Sequence, residues 1–295
     1  MGSGLCSSPV TMAPEEECVQ IVPRIPAAGL ARLFGLARIF PLEQRDPDTF
    51  YRVVAADTMT QIGHYTDVDG LDILDIGGGG GYFSEAFRAA GARCVLVEPD
   101  AAQGTPPTLP DPDLATPEER HRVATWPGRL APRSTVAADG YRLPFPDGVA
   151  DLTFSSNVLE HVAEPGRLIE EMIRVTRPGG LLYISFTVWW GPWGGHETSP
   201  WHYLGGARAA RRYEAHMGRP PKNLFGTTMF ACHVGATLRT VARLGDQAVV
   251  VEALPRYYPK WLYWVIRVPG LRELLTWNLL VVMRRLGDDD GTAAP

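Results

Sequence analysis

The sequence predicts an α/β fold built on a doubly wound, mostly parallel sheet, and three observations lead there. Five consecutive glycines, Gly77 to Gly81, follow directly on the apolar run Leu71-Asp72-Ile73-Leu74-Asp75-Ile76. Seventeen residues past the last of them, Glu98 closes a second apolar run, Cys94-Val95-Leu96-Val97. Short apolar runs then alternate with helical patterns as far as residue 186, an order that demands parallel strands joined by right-handed crossovers. A glycine turn at a strand end lets a ligand approach the backbone, and an acid at the tip of the next strand can accept from two ribose hydroxyls. The pattern is that of a nucleoside-binding domain.

Each element follows in order. Residues 27–39 place Leu30, Leu33, Phe34, Ala37 and Ile39 on one stripe, which predicts an amphipathic helix. A second helix runs from Pro47 to about Ile62 with Phe50, Val53, Val54 and Thr58 inward. Strand 72–76, helix 82–90, strand 93–97, a strand near 135–138, strand 151–155, helix 165–176 and strand 181–186 complete the alternation. Between Asp100 and Ser134, Pro106, Pro107, Pro110, Pro112, Pro117, Pro127 and Pro132 break any long helix. A surface loop is expected there, with one short helix around Glu118 to Ala124 and a role as a lid.

Spacing narrows the ligand. A dinucleotide fingerprint needs G-x-G-x-x-G, and every such frame in this loop ends on a non-glycine: Tyr82, Phe83 or Ser84. What remains, Asp75-x-Gly77-x-Gly79 followed by Tyr82-Phe83, resembles motif I of the class I S-adenosylmethionine (SAM) methyltransferases. The resemblance continues in register. Val97-Glu98-Pro99-Asp100 is similar to the acidic second-strand motif, Ala138-Asp139-Gly140 to the adenine-holding segment, and Asp151 through Val162 to the fourth strand and its exit. Arg177-Pro178-Gly179-Gly180 resembles the turn into strand five. The stretches Glu43 to Asp57 and Tyr203 to Arg208 resemble a group of uncharacterised actinobacterial methyltransferases, a likeness that names no substrate.

The resemblance implies a Rossmann-like, seven-stranded class I methyltransferase sheet with SAM as cofactor. N-terminal helices would fold over the SAM pocket, where Tyr51 either touches the methionine carboxylate or is an ordinary half-buried tyrosine. Asp75 would accept from loop amides or orient the SAM ammonium. Gly77 and Gly79 would give the backbone room, Glu98 with Pro99 would hold the ribose, Asp139 and Gly140 would read adenine, and Asn157 would face the methionine end. His161 borders the acceptor site in the family and is the leading base candidate, against a purely structural histidine.

The expected domain layout is a flexible tail over 1–24, a helical cap over 25–66, and the SAM-binding domain over 67–255 with insertions at 101–134 and 187–230. An aromatic and basic segment over 256–286 and a second tail over 287–295 follow. At 295 residues and 45% hydrophobic content the chain can bury a large core. Its four cysteines lack C-x-x-C spacing, so reduced thiols are expected rather than disulfides or zinc ligands. A net charge of −5 argues against nucleic acid as the acceptor. No secretory signal is read in the first twenty residues, and a cytoplasmic enzyme is expected.

In-line methyl transfer needs donor and acceptor held in contact and aligned, an effect worth up to ~7–11 kcal/mol. An oxygen acceptor of high pKa also needs a base, worth ~10²–10⁴-fold. The insertion Val188-Trp189-Trp190-Gly191-Pro192-Trp193-Gly194-Gly195-His196-Glu197, running on to Trp201-His202-Tyr203, falls at the carboxyl edge where such sheets bind ligands. It reads as an acceptor pocket or as a packed aromatic insertion. In the first reading Trp189, Trp190, Trp193, His202 and Tyr203 contact a small-molecule, lipid or glycan acceptor, and His196 and Glu197 join His161 as catalytic candidates. No metal is expected, because Pro200 stands where H-E-x-x-H needs its second histidine.

From Arg256 to Arg285, Trp, Tyr, Arg and Lys interleave without an uncharged run long enough to span a bilayer. This segment reads as an internal cap or late strand, with Leu274 to Met283 closing the sheet, or as a peripheral contact with the inner membrane face. The competing functions are an NAD(P)-dependent oxidoreductase and a SAM-binding protein without turnover.

Overall fold

The computed structural model describes residues 29–99 and 135–287. The expected tails except Gly287, the 101–134 lid with its short helix, and Asp100 lie outside the described residues. Three helices come first: α1 (Gly29–Ile39), α2 (Leu42–Arg45) and α3 (Pro47–Ile62). The core follows as β1 (Asp72–Ile76), α4 (Tyr82–Ala89), β2 (Arg93–Val97), β3 (Thr135–Val136), β4 (Ala150–Ser156), α5 (Pro165–Val175) and β5 (Thr176–Thr187). Then come α6 (Gly206–Met217), α7 (Val234–Arg243), β6 (Ala248–Pro255), α8 (Leu271–Leu275) and β7 (Asn278–Arg285).

One seven-stranded sheet has the order β3-β2-β1-β4-β5-β7-β6. Neighbours are parallel from β3 to β5, and β7 runs antiparallel between β5 and β6. The strand order reverses at β1 and β4, so the crevice at their carboxyl ends is the switch point where such sheets bind ligands.

Both faces of the sheet are covered, which is why β1 is buried at every position. Leu74 and Ile76 point into a core closed by α5 and α7. Ile73 points to the opposite core, closed by α1, α3 and α4. At the start of α3 the Asp46 side chain accepts from the Thr49 amide, with Pro47 in the first turn. The four inward positions expected on this helix, Phe50, Val53, Val54 and Thr58, are all buried.

Two expectations need correction. The stripe on α1 is rotated: Leu33, Leu36, Ile39 and Arg32 are buried, whereas Leu30 is 46% and Phe34 59% exposed. An ion pair turns the helix, because Arg32 reaches Asp57 at 2.7 Å and donates to the Arg256 carbonyl at 2.8 Å. Helix α5 also stops at Val175, and β5 begins earlier than expected, at Thr176. The Arg177-to-Gly180 turn becomes an irregularity in that strand, since Ala150 pairs with Thr176 but Leu152 already pairs with Leu181. Strand β6 and helices α6 and α7 carried no expectation.

The late-strand reading holds for Asn278–Arg285. Residues 260–275 instead form a short 3-10 stretch and α8 that leave Trp261, Trp264, Leu271, Leu274 and Leu275 exposed. Among the described residues no helix is long and apolar enough to cross a membrane.

Arg256, fully buried, ties these layers together. It donates to Ser156 Oγ at 3.0 Å, Ser185 Oγ at 2.7 Å, Thr58 Oγ1 at 2.5 Å and Gln61 Oε1 at 3.2 Å. Tyr183 and Tyr257 lie 5.6 Å and 5.3 Å from its guanidinium carbon. β6, β4, β5 and the helical cap thus meet on one cation beneath the carboxyl edge.

Candidate active site

The glycine turn is shaped by its backbone. Gly77, Gly79 and Gly81 have φ of 74°, 52° and 78°, the left-handed region where a side chain is strained. A Cβ on Gly77 would lie 2.5 Å from a Val158 methyl, so the turn packs directly on the residue that follows Asn157. A Cβ on Gly79 would meet nothing within 4 Å. Its amide donates to Glu98 Oε2 at 2.8 Å, which places the acid at the mouth of this open turn. Pro99, beside it, is exposed.

Asp75 lies under the turn and is fully buried. Its Oδ2 accepts from Ser84 Oγ at 2.6 Å, and Oδ1 is buried without a partner among the described residues. Burial pushes its pKa up to about 6, partly offset by the Ser84 hydroxyl and amide. In the structure this carboxyl braces β1 against α4 from below.

Asp139 is exposed and folds its own turn, Oδ1 accepting from the Tyr141 amide at 2.9 Å and the Arg142 amide at 3.3 Å. Gly140, at φ 79°, lies beside Leu168 so closely that a Cβ would stand 2.9 Å from its methyl.

Asn157 and His196 are the two non-glycine residues with left-handed backbone among those described, at φ 59° and 47°. Such conformations cost about 1–3 kcal/mol and persist where the surroundings impose them. The Asn157 amide donates to the Ser185 carbonyl, and its Oδ1 accepts from Asn278 Nδ2 at 2.7 Å.

Two residues on, the chain forms a 3-10 turn, Leu159–His161, at the exit of β4. Glu160 is buried, its Oε1 accepting from the Thr187 amide at 3.0 Å while Oε2 has no partner among the described residues. His161 Nδ1 lies 2.8 Å from the Thr228 carbonyl oxygen. A carbonyl only accepts, so Nδ1 carries the proton and Nε2 keeps a lone pair. The His161 and His196 rings stand 5.1 Å apart. His196 Nε2 is buried and unpartnered among the described residues, and burial pulls its pKa below the usual histidine value.

The helical cap supplies the other wall. Tyr51 donates to Glu43 Oε1 at 3.2 Å and stacks on Tyr82 at 5.3 Å. Burial raises the pKa of both Glu43 and Tyr51, and the charges that act on Glu43 include Glu160, Glu197 and His161. Tyr51 therefore faces the acid cluster as well as the glycine-turn helix.

The other catalytic candidate, Glu197, has both carboxylate oxygens engaged by one neighbour. Its two oxygens are held by the Asn223 amide at 2.7 Å and the Asn223 side chain at 2.8 Å. These bonds favour the ionised form against burial, and the pKa is lowered.

The insertion is packed more tightly than an open pocket. Trp189 is buried against His202 and Phe225, at 5.4 Å and 4.9 Å. His202 is wholly buried, with Nε2 3.2 Å from the Gly191 carbonyl. A Cβ on Gly195 would stand 2.5 Å from His202, so glycine is needed for the approach. Trp190 stacks on the exposed Tyr203 at 6.1 Å, and Trp193 is clasped between Trp277 at 5.7 Å and Phe40 at 5.3 Å.

The structure thus brings Glu98 to Gly79, sets Gly77 against the residue after Asn157, and places His161 beside His196 past the end of β4. Sequence reasoning gave no site role to Glu43, Tyr82, Glu160 or Asn278. Glu160 sat beside a candidate, but nothing in its spacing says that a carboxylate will be buried with one oxygen unpaired. Glu43 and Asn278 arrive from distant segments.

A methyltransferase domain family matches residues 74–184. An uncharacterized methyltransferase of Mycolicibacterium gilvum is 45% identical over 263 residues, covering 87% of this chain and 95% of its own length. One of Mycobacterium tuberculosis is 44% identical with the same coverage. A solved S-adenosylmethionine dependent methyltransferase from Mesorhizobium loti shares 21% identity at a TM-score of 0.47, over 80% of this chain and 98% of that one. Identity of this order along most of the chain, on a sheet whose switch point carries the open glycine turn with Glu98 at its mouth, makes this protein a member of the SAM-dependent methyltransferases.

Proposed function

We propose that the protein methylates an oxygen of a small-molecule, lipid or glycan acceptor, with SAM bound across the glycine turn and the acceptor against Glu43, Tyr51, His161 and His196. The observation that carries this reading is the buried, unpartnered Nε2 of His196 beside His161 at the carboxyl edge. A neutral imidazole with an unused lone pair can take a hydroxyl proton, and burial keeps it neutral. His161, anchored through Nδ1 by the Thr228 carbonyl, offers a second lone pair in the same place.

The donor fits the residues present. Gly77 and Gly79 leave the backbone bare, Glu98 accepts at the strand tip, Asp139 and Gly140 form the next turn, and Asn157 stands at the exit of β4. Bound SAM supplies an electrophilic methyl; the chain supplies alignment and a place for the acceptor's proton. The nicotinamide alternative needs a third glycine where α4 begins, and Tyr82 stands there, stacked on Tyr51.

The surface favours an acceptor that sits in a lipid interface. β6 ends at Pro255 and β7 begins at Asn278, which pairs with Thr187 at the end of β5, so residues 256–277 lie at the carboxyl edge. That segment exposes Trp261 by 63% and Trp264 by 48%, together with Leu271, Leu274 and Leu275 and the exposed cations Lys260 and Arg267. Rings and aliphatic chains interleaved with cations suit an anionic headgroup layer.

The test is transfer of labelled methyl from SAM into lipid and polar extracts of a mycobacterium, wild type against His196→Ala. Product formed by the wild type and lost in the variant supports the reading. Equal labelling by both removes the histidine from the chemistry, and label in the polar extract alone removes the lipid acceptor.

A further inference from the structure

We propose that Glu160, His161 and His196 form a binding site for one divalent first-row transition-metal ion. One ligand atom from each, all within 4.8 Å of one another, comes from two segments that the fold brings together: the turn after β4 and the insertion after β5.

The donor set is two imidazoles and one carboxylate, which suits zinc, iron(II) or cobalt(II) better than magnesium. The availability of the atoms is an independent observation. Glu160 Oε2 and His196 Nε2 are both buried and unpartnered among the described residues, and an unsatisfied buried carboxylate oxygen is expensive. Glu160 is 2% exposed, and its other oxygen is fixed by the Thr187 amide, so the idle oxygen has a set direction. His161 has the arrangement usual for a metal-bound histidine, Nδ1 held by a carbonyl and Nε2 free to ligate.

Three ligands of one ion at ~2.1 Å stand roughly 3–3.5 Å apart, so loading the site draws the two rings inward by about an ångström.

The H-E-x-x-H test applied to the sequence could not detect this trio, because the second histidine comes from residue 161 rather than from the insertion. Three protein ligands leave positions open for an acceptor oxygen, whose pKa the ion would lower. The inference rests on the acceptor lying at this cluster. In the loaded protein the two histidines act through the ion, which lowers the pKa of the acceptor oxygen, and the histidine-base chemistry of the proposed function belongs to the ion-free protein.

The test titrates chelator-stripped full-length protein with cobalt(II), following the visible d–d bands, with zinc(II) as competitor. One saturable equivalent displaced by zinc is expected. Glu160→Gln, which keeps the Oε1 acceptor, and His196→Gln should each weaken cobalt binding at least ~10–100-fold. His161→Ala, at a half-exposed ring, gives the same readout should a buried substitution fail to fold by circular dichroism. Absence of a one-equivalent complex in the wild type, or equal cobalt affinity in the folded variants, overturns the site. Calorimetry with S-adenosylhomocysteine on the same samples separates the two readings: binding of that product without cobalt sinks the metal alone, and no binding of it sinks the donor site.

Discussion

Asn278 Nδ2 donates to Asn157 Oδ1 over 2.7 Å, joining the antiparallel strand β7 to the left-handed residue at the exit of β4. The Asn278 carbonyl in turn accepts from the Arg256 amide, and its Oδ1 is buried without a partner among the described residues. A strand far from the glycine turn in sequence therefore holds the turn's neighbour in a strained conformation. Asn278→Ala removes the donor and should cost about 1–3 kcal/mol in urea unfolding. It should also weaken S-adenosylhomocysteine binding in calorimetry. Lost stability with unaltered affinity would show that Asn157 keeps its geometry without this bond.

Glu98 bears on the donor more directly. It caps the amide of Gly79 and stands where ribose hydroxyls would arrive. Glu98→Ala should weaken S-adenosylhomocysteine by about 1–3 kcal/mol, roughly five- to 150-fold in Kd. An unchanged Kd would take the ribose away from this acid.

Asp75 predicts a pH slope. Its pKa rises from 3.8 in the unfolded chain to about 6 on burial, so the folded state binds the extra proton between those values. Stability from this group is fully present below pH 3.8 and is lost as pH rises to about 6, a change on the order of 3 kcal/mol. Asp75→Asn should flatten that part of the denaturation profile relative to wild type. A parallel pair of profiles would mean that the carboxyl is ionised at no cost.

The histidines should separate binding from chemistry. His196→Ala is expected to leave S-adenosylhomocysteine affinity within about twofold and to lower kcat by ~10²–10⁴ where the acceptor is a hydroxyl. Burial depresses the His196 pKa below 6.5, so as a free base it stays neutral into mild acid and the acidic limb of kcat should lie below that value. A limb above pH 6.5 would assign the proton to another group.

The legible parts of the sequence were local. Leu71 to Gly81 and Cys94 to Glu98 announced β1, its turn and the acid, because a strand, a bare turn and a strand tip are each written in consecutive residues. Asn157 and His161 drew notice through the resemblance of Asp151 to Val162 to a fourth strand and its exit, and the fold puts both at the end of β4. What stayed hidden depends on which distant groups meet. Arg32 turned α1 because Asp57 waits inside, an ion pair that overrides an apolar stripe. Trp189 and His202, expected to line a pocket, pack on each other because Gly195 lets the chain come close. The buried Glu160 oxygen and the Glu43 carboxylate arise only when three segments converge.

The exposed rings at the carboxyl edge give the last prediction. Trp261 and Trp264 stand out of a short 3-10 stretch beside Lys260 and Arg267, on the same edge as the histidines. If they enter a headgroup layer, the protein should cosediment with vesicles containing phosphatidylglycerol and much less with neutral phosphatidylcholine vesicles. Salt should weaken the interaction, since screening at ~0.15 M acts over about 8 Å. Trp261→Ala/Trp264→Ala should release it at any salt while leaving S-adenosylhomocysteine affinity unchanged, because neither ring touches the glycine turn. Vesicle binding equal for the double variant and wild type would return these rings to the protein's own surface and remove the lipid argument for the acceptor.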